Sequence, residues 1–436
     1  MRPVPTPAQL QWQRDGMGVF FHVGLNTFHD LEWSDGTLPA SSFDPAELDT
    51  DQWVRVAKDA GARYVVLTAK HHDGFCLWPT ATTDYSVASS PWRDGKGDLV
   101  RELRESCDRH GLKYGLYLSP WDRHEPSYPD EAAYDEFYLA QLTELLSGYG
   151  ELHEIWFDGA GSDGHTYDWG RIMAVVDELQ PGAMVFNMGV PTIRWVGNED
   201  GIAHDPVSYT ARSTALSNYT DASLELDSEV YLPPECDVSV RPGWFWHAAE
   251  QPRSLEELLH IHDSSFGLGA QLLLNLPPDD RGLIPAEDIE RLQQWVGALD
   301  ARFAVRHDAT VSPVDGGTVL SFGGEVTLDA LWLHERLDEG QQIFDHTLVV
   351  GDAATGDRVV AQGHTVGVRR LHRFEPITVS EVFVRHEQGV IEAASGHLSQ
   401  ESVSAFQECH HVLGSNHGLS RLRASVVLRD SRRRRD

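Results

Sequence analysis

Residues 51–74 read DQWVRVAKDAGARYVVLTAKHHDG, and this stretch decides the fold. Trp53, Val54 and Ala57 recur at helical spacing, and Gly61 supplies the residue type with which helices commonly end. Arg63–Ala69 (RYVVLTA) follows, mostly apolar and rich in β-branched and aromatic residues, the pattern of a strand buried on both faces. The run stops in a polar cluster, His71-His72-Asp73-Gly74. A helix feeding a doubly buried strand is the repeat of a parallel β/α fold.

The same alternation continues on both sides. Towards the N-terminus lies the apolar run Gly18–Leu25. Towards the C-terminus, strand-like runs at Lys113–Leu118, His153–Asp158, Met184–Met188, Arg194–Asn198 and Gln271–Leu276 alternate with helical patterns. Those helices are expected over Leu99–His110 (closed by Gly111), Glu131–Leu146, Trp169–Leu179, Leu255–Phe266 and Pro285–Leu299. Residues 200–250 are loop-rich and yield no clear element. Seven strands can be placed, and about eight β/α units fit the length, as in a closed barrel of about 250 residues. Residues 1–303 are therefore expected to form a (β/α)8 TIM-like barrel rather than an open doubly wound sheet. From residue 304 the period changes to β segments separated by Gly, Asp and Pro, which predicts a small all-β sandwich over 304–390. Residues 391–436 have weak periodicity and form a C-terminal extension of open structure, with the Arg432–Arg435 cluster read as a frayed tail.

Composition limits the function. Of 436 residues, 67 are Asp or Glu against 35 Lys or Arg, a formal charge of -32. Such a chain repels phosphate backbones, so nucleic acid is not expected as a partner. No run approaches the ~18 apolar residues that span a bilayer. Cys76, Cys107, Cys236 and Cys409 are too dispersed for a zinc clip or a disulfide scaffold. The opening MRPVPTPAQLQWQRDG has no apolar leader, which predicts a cytoplasmic location. Oligomeric state is not legible.

In a barrel of this kind, catalytic groups sit at the C-terminal ends of the strands. Here those ends carry His22, His71-His72-Asp73, Tyr117 (with Trp121 and Asp122 beyond), Trp156-Phe157-Asp158-Gly159, Asn198-Glu199 and Asn275. Singly, each has an ordinary reading. A lone His or Trp belongs to the core, Asp158 is a turn or cap aspartate, and Glu199 a solvated loop acid. Together they describe a polar pocket with aromatic walls, which suits a sugar, whose hydroxyls need donors and acceptors and whose apolar face needs an aromatic surface. Two carboxylates at one barrel mouth are also the minimum for glycoside hydrolysis.

Three competing motifs are weaker. Gly159–Gly164 matches G-x-G-x-x-G, with Asp177 downstream, but belongs to the fourth strand and lies well before its helix. His71, His72 and Asp73 invite a metal, yet adjacent residues on an extended segment point opposite ways. His260 and His262 do not share a helix face. No G-x-S-x-G elbow occurs. No metal or cofactor is expected.

Several segments are similar to the α-L-fucosidases of glycoside hydrolase family 29. They are Phe20-Phe21-His22-Val23-Gly24-Leu25-Asn26-Thr27-Phe28, Glu32-Trp33, Lys70-His71-His72-Asp73-Gly74-Phe75 with Trp78, Trp156-Phe157-Asp158-Gly159, Arg194-Trp195-Val196-Gly197-Asn198-Glu199, and Leu272-Leu273-Leu274-Asn275-Leu276-Pro277-Pro278. The resemblance covers roughly residues 10–300 in order, and the β domain resembles the family's C-terminal sandwich. It implies a retaining exo-glycosidase acting on fucosylated oligosaccharides or glycans. Asp158 would be the nucleophile and Glu199 the acid/base. His22, Glu32, Trp33, His71, His72 and Tyr117 would hold fucose, with Trp156 as an apolar wall. The segment Trp244-Phe245-Trp246-His247 lies where an aromatic stretch approaches the sugar, and Trp246 is taken as its contact. The forms around His22 and Glu199 resemble the subfamily that cleaves α-1,3 and α-1,4 linkages. A catalytically weak carbohydrate-binding protein, or another exo-glycosidase on the same barrel, is the alternative.

Overall fold

The computed structural model describes residues 2–351 and 356–403. Eight parallel strands form a nearly closed barrel: β1 (Met17–Phe21), β2 (Tyr64–Lys70), β3 (Lys113–Leu118), β4 (Glu154–Trp156), β5 (Met184–Phe186) and β6 (Arg194–Trp195). After an antiparallel hairpin, β7 (Thr210–Ala215) and β8 (Ser223–Tyr231), come β9 (Pro234–Ser239) and β10 (Gln271–Asn275). The hydrogen-bonded order is β5-β4-β3-β2-β1-β10-β9-β6. A parallel bridge between Phe186 and Ile193, one residue before β6, brings the two ends of that order together.

Local chemistry sets the helices around the ring. Those that follow β1 to β4 (Thr50–Asp59, Leu99–His110, Glu131–Gly148 and Trp169–Leu179) each start at an aspartate. Asp49, Asp98, Asp130 and Asp168 accept from the backbone N–H three residues on, a cap worth ~1 kcal/mol each. Leu255–Ser264 and Ala286–Arg302 follow β9 and β10. Between β5 and β6 there is only a short turn, and between β6 and β9 the β7–β8 hairpin stands where a helix would. Six of the eight barrel strands are thus followed by a helix among the described residues.

The barrel strand not legible in the sequence is β9, whose residues read PECDVS. Its Glu235 and Asp237 are buried, so a proline and two acids sit where an apolar run is expected. The expected sixth strand, Arg194–Asn198, shortens to Arg194–Trp195, because Gly197 turns the chain at φ +100°. A helix over Pro7–Asp15 also precedes β1. Thr6 and Gln9 cap it reciprocally, and its Trp12 closes the barrel floor by donating Nε1–H to Glu154 Oε2 at 2.9 Å.

The second region is antiparallel: β11 (Val305–Asp308), β12 (Thr310–Val314), β13 (Gly317–Glu335), β14 (His346–Val350), β15 (Arg358–Gly363), β16 (Arg370–Arg385) and β17 (Ile391–Leu398). The long β13 and β16 change register between Ser321 and Val326 and again between Leu328 and Ala330. Such shifts bend a strand, and the layers enclose Leu320, Leu328, Leu331, Leu333, Leu348 and Val384. The sheet runs past residue 390, because β17 pairs with β13 and β11. Its periodicity is weak because small and polar residues fill its buried positions. A Cβ on Gly396 would sit 2.5 Å from Leu328. The regions meet through Arg370 on Asp205 at 2.7 Å and Gln341 donating to the Val207 carbonyl at 3.0 Å. Among the described residues no helix is long and apolar enough to cross a membrane. Cys76, Cys107 and Cys236 are buried free thiols, whereas Cys409 and Arg432–Arg435 lie outside the described residues.

Candidate active site

A cavity opens at the C-terminal ends of the barrel strands. Asp158, two residues past β4, faces it. The Tyr117 hydroxyl from β3 donates to its Oδ2 at 3.0 Å, and the Ala160 N–H donates to Oδ1 at 2.8 Å. The side chain remains 22% exposed, so a ligand can reach it. The first two glycines of the G-x-G-x-x-G match serve close packing here, whereas a Cβ on Gly164 would meet nothing. A Cβ on Gly159 would lie 2.4 Å from the Leu216 carbonyl oxygen, and one on Gly161, at φ +72°, 2.0 Å from the Trp121 ring.

Glu199 lines the same cavity. It stands four residues beyond β6, after the Gly197 turn. Burial pushes its carboxyl above the usual range and the Asp158 charge pushes it further, against hydrogen bonds from Trp244 and Asn218 that pull it down. Two carboxyls placed so that the charge of one raises the other are an arrangement that drives two acids towards different protonation states.

Three histidines supply polar contacts. Asn275 donates its amide N–H groups to Ser239 Oγ and the Trp244 carbonyl, so its Oδ1 accepts from His22 Nδ1–H at 2.9 Å. The Ser119 hydroxyl donates to the Trp121 carbonyl and accepts from His72 Nδ1–H at 2.7 Å. That leaves His72 Nε2 3.6 Å from Asp158 Oδ2. The buried Nδ1 of His71 has no partner. Burial holds His22 down to about 3 and His71 well below its ordinary value. His72 is also lowered by burial, against the opposing pull of Asp158. All three are neutral imidazoles near pH 7, with polar valences to spare for hydroxyls. The expectation that His71 and His72 point opposite ways fails. They lie beyond β2 in a turn, their ring centroids are 4.2 Å apart, and both line the cavity. Asp73 instead accepts from the Phe75 N–H, and burial raises it to about 7.

The chain matches the family model described as α-L-fucosidase over residues 27–299. It is 41% identical over 415 residues to α-L-fucosidase 1 of Arabidopsis thaliana, covering 85% of this chain and 82% of the relative. A glycoside hydrolase 29 member from a rumen bacterium superposes with TM-score 0.80 at 34% identity, over 91% of this chain and 77% of that one. A Ruminococcus gnavus GH29 fucosidase, solved in complex with fucose, gives TM-score 0.81 at 27% identity, over 92% and 97%. The chain belongs to the α-L-fucosidase family, glycoside hydrolase family 29.

Aromatic rings wall the fucosidase cavity. Trp156 stacks on Phe186 at 3.7 Å and 9°, and its Nε1–H donates to Glu235 Oε2 at 3.1 Å. Glu235 also accepts from Tyr64 at 2.6 Å. Burial and the Glu235 charge push neighbouring Glu154 well above the usual carboxyl range, and burial raises Glu235 as well, so a pair of buried carboxyls lies beside the Trp156 indole. Trp33 lines the rim, edge-on to His72 at 5.5 Å.

Two expected contacts move. Glu32 is not among the lining side chains. Its carboxylate accepts from the Trp244 and Phe245 N–H groups and pairs with His247 Nε2 at 2.9 Å, so it anchors the 244–247 segment. That anchoring turns Trp244, not Trp246, into the cavity, with its ring 5.1 Å from His22. Asp122 lies away from the site, in an ion pair with buried Lys70 at 2.8 Å.

Sequence reasoning missed Asn187 and the hairpin tip Leu216–Tyr219, which line the cavity together with Asp237, the residue held, with Glu235, as the alternative to Glu199. Asn187 directly follows β5, so the strand-end rule that found the others applied to it as well. Asp237 accepts from Trp195 Nε1–H at 2.7 Å, and burial holds its carboxyl far above the usual range. No sequence signal marks Tyr219. Among the described residues no three His, Cys, Asp or Glu side chains are placed to hold a metal ion.

Proposed function

We propose that the chain is a retaining exo-α-L-fucosidase that removes terminal α-1,3- or α-1,4-linked fucose from oligosaccharides or glycans. Asp158 would act as nucleophile and Glu199 as acid/base. One observation carries this reading: two carboxylates share a cavity, and burial together with the charge of the first raises the second above the usual carboxyl range. Glu199 then gives its proton to the leaving oxygen while Asp158 attacks the anomeric carbon. Forming the ester removes the Asp158 charge, and with it one of the causes that raise Glu199. Glu199 becomes the stronger acid, so its carboxylate is available to take a proton from water in the second step. The neutral His22, His71 and His72 suit the ring hydroxyls, and the aromatic walls suit the C5 methyl of fucose.

The linkage preference rests on the resemblance around His22 and Glu199. Fucose release from a Lewis-type trisaccharide is expected to outpace release from 2′-fucosyl-lactose, with α-fucose as the first-formed anomer by NMR. Faster cleavage of 2′-fucosyl-lactose would overturn the linkage, β-fucose appearing first would overturn retention, and no release from any fucoside would overturn the reading itself. Exhaustive dialysis against a chelator is expected to leave the trisaccharide rate unchanged, because two carboxylates suffice for the chemistry. Activity that disappears and returns with one added metal would point instead to metal-activated water.

A further inference from the structure

In any glycosidase the leaving sugar lies beside the group that protonates it. Taking Glu199 as that group, its neighbour Asn218 lies on the tip of the β7–β8 hairpin, and the next residue is Tyr219. This ring is 63% exposed, yet it lines the cavity mouth and packs edge-on against Trp33 at 5.4 Å and 72°, itself 37% exposed. Exposed aromatic side chains are normally scattered singly; these two form a pair on the rim.

The tip is also held in place. Asn187 donates to the Ala215 carbonyl at 2.7 Å and accepts from Thr214 Oγ1. Leu216 N–H donates to the Ala222 carbonyl at 3.0 Å, and Tyr219 N–H to Ser217 Oγ at 3.0 Å. The close approach of Leu216 to Gly159 ties the tip to the loop that carries Asp158. Burial and the charges of Glu199, Asp158 and Glu32 raise the Tyr219 phenol, so it remains a neutral hydrogen-bond donor.

We propose that Tyr219, backed by Trp33, is the platform on which the leaving saccharide stacks, and that it selects fucosides whose leaving group is a neutral sugar ring. The proposal rests on the fucosidase reading with Glu199 as acid. A ring sugar offers an apolar C–H face to the phenol, whereas methanol offers none. Both are alkoxide leaving groups that need the same acid, so comparing them separates stacking from proton transfer.

The test is kcat/KM on a fucosyl trisaccharide of the Lewis type divided by kcat/KM on methyl α-L-fucoside. Tyr219→Ala is expected to lower this ratio ~10-fold, the scale of one lost ring contact. Tyr219→Phe, which keeps the ring, is expected to hold it within ~3-fold. An unchanged ratio in Tyr219→Ala, or an equal fall on both substrates, would overturn the platform while leaving the fucosidase reading intact. Release of fucose from neither substrate by the unmodified protein would overturn both.

Discussion

Asp158→Ala is expected to lower kcat ~10³-fold or more on every fucoside, ~4 kcal/mol of barrier, while leaving the fold in place. The reason for the first half is chemical. With the carboxylate gone, no group is left to form the covalent intermediate, and Tyr117 cannot substitute because its phenol is buried and held far above its ordinary pKa. The reason for the second is that the side chain is partly solvent-exposed, and its loss frees only the Tyr117 hydroxyl and the Ala160 N–H at a cavity that water can enter. Azide is small enough to occupy the vacated space and attack the anomeric carbon directly, so it should restore part of the rate and yield β-fucosyl azide by a single inverting displacement. The measurement is the initial rate with and without azide, with the product anomer assigned by NMR and the fold checked by circular dichroism. Residual activity above about a tenth of the unmodified rate, a barrier change under roughly 1.4 kcal/mol, would move the nucleophile elsewhere.

The barrel was legible wherever burial on both faces forces an apolar run. β1, β2, β3 and β10 are such runs, and glycines such as Gly61 and Gly111 mark the ends of the intervening helices. Legibility failed where the barrel interior is polar. β9 carries Glu235 and Asp237 inward, to meet Tyr64, Trp156 and Trp195, so its composition argues against a strand although its position demands one. β17 failed for a related reason, since Ala394, Ser395 and Gly396 fill buried positions that give no hydrophobic signal.

The site divides similarly. His22, His71, His72, Tyr117, Trp156 and Asp158 were readable because strand ends converge in a parallel barrel, and Glu199 because one short strand and one glycine turn deliver it. Contacts set by loop pairing were not readable. Whether Trp244 or Trp246 turns inward is decided by the Glu32 carboxylate on the Trp244 and Phe245 N–H groups, more than 200 positions away in the chain. Tyr219 reaches the rim only because a hairpin replaces the helix expected between β6 and β9. Neither relation leaves a local trace in the sequence.

Glu199→Ala should behave differently from Asp158→Ala, and the difference tests both assignments together. A general acid matters most when the leaving group is poor. Oligosaccharide turnover should therefore fall by ~10²–10⁴-fold, the usual contribution of such a group. The first step on an aryl fucoside with a good leaving group should change far less. Its second step still lacks a base, so the covalent intermediate should accumulate and appear as a burst of released phenol. Azide needs no base. It should speed turnover of the aryl fucoside by attacking the intermediate from the face opposite Asp158, giving α-fucosyl azide with net retention. The basic limb of the pH profile adds a second readout. Burial and the Asp158 charge raise Glu199, so in the unmodified protein kcat/KM on an oligosaccharide should fall only at a pH above the ordinary glutamate range, where the acid loses its proton. That limb should be absent from the variant. Oligosaccharide turnover surviving in Glu199→Ala, or both variants yielding the same azide anomer, would transfer the acid/base role to another carboxyl. Asp237 is the next to test, because it lines the same cavity and burial pushes its carboxyl well above the usual range, whereas Glu235 lies below the Trp156 indole and is already committed to Tyr64 and Trp156.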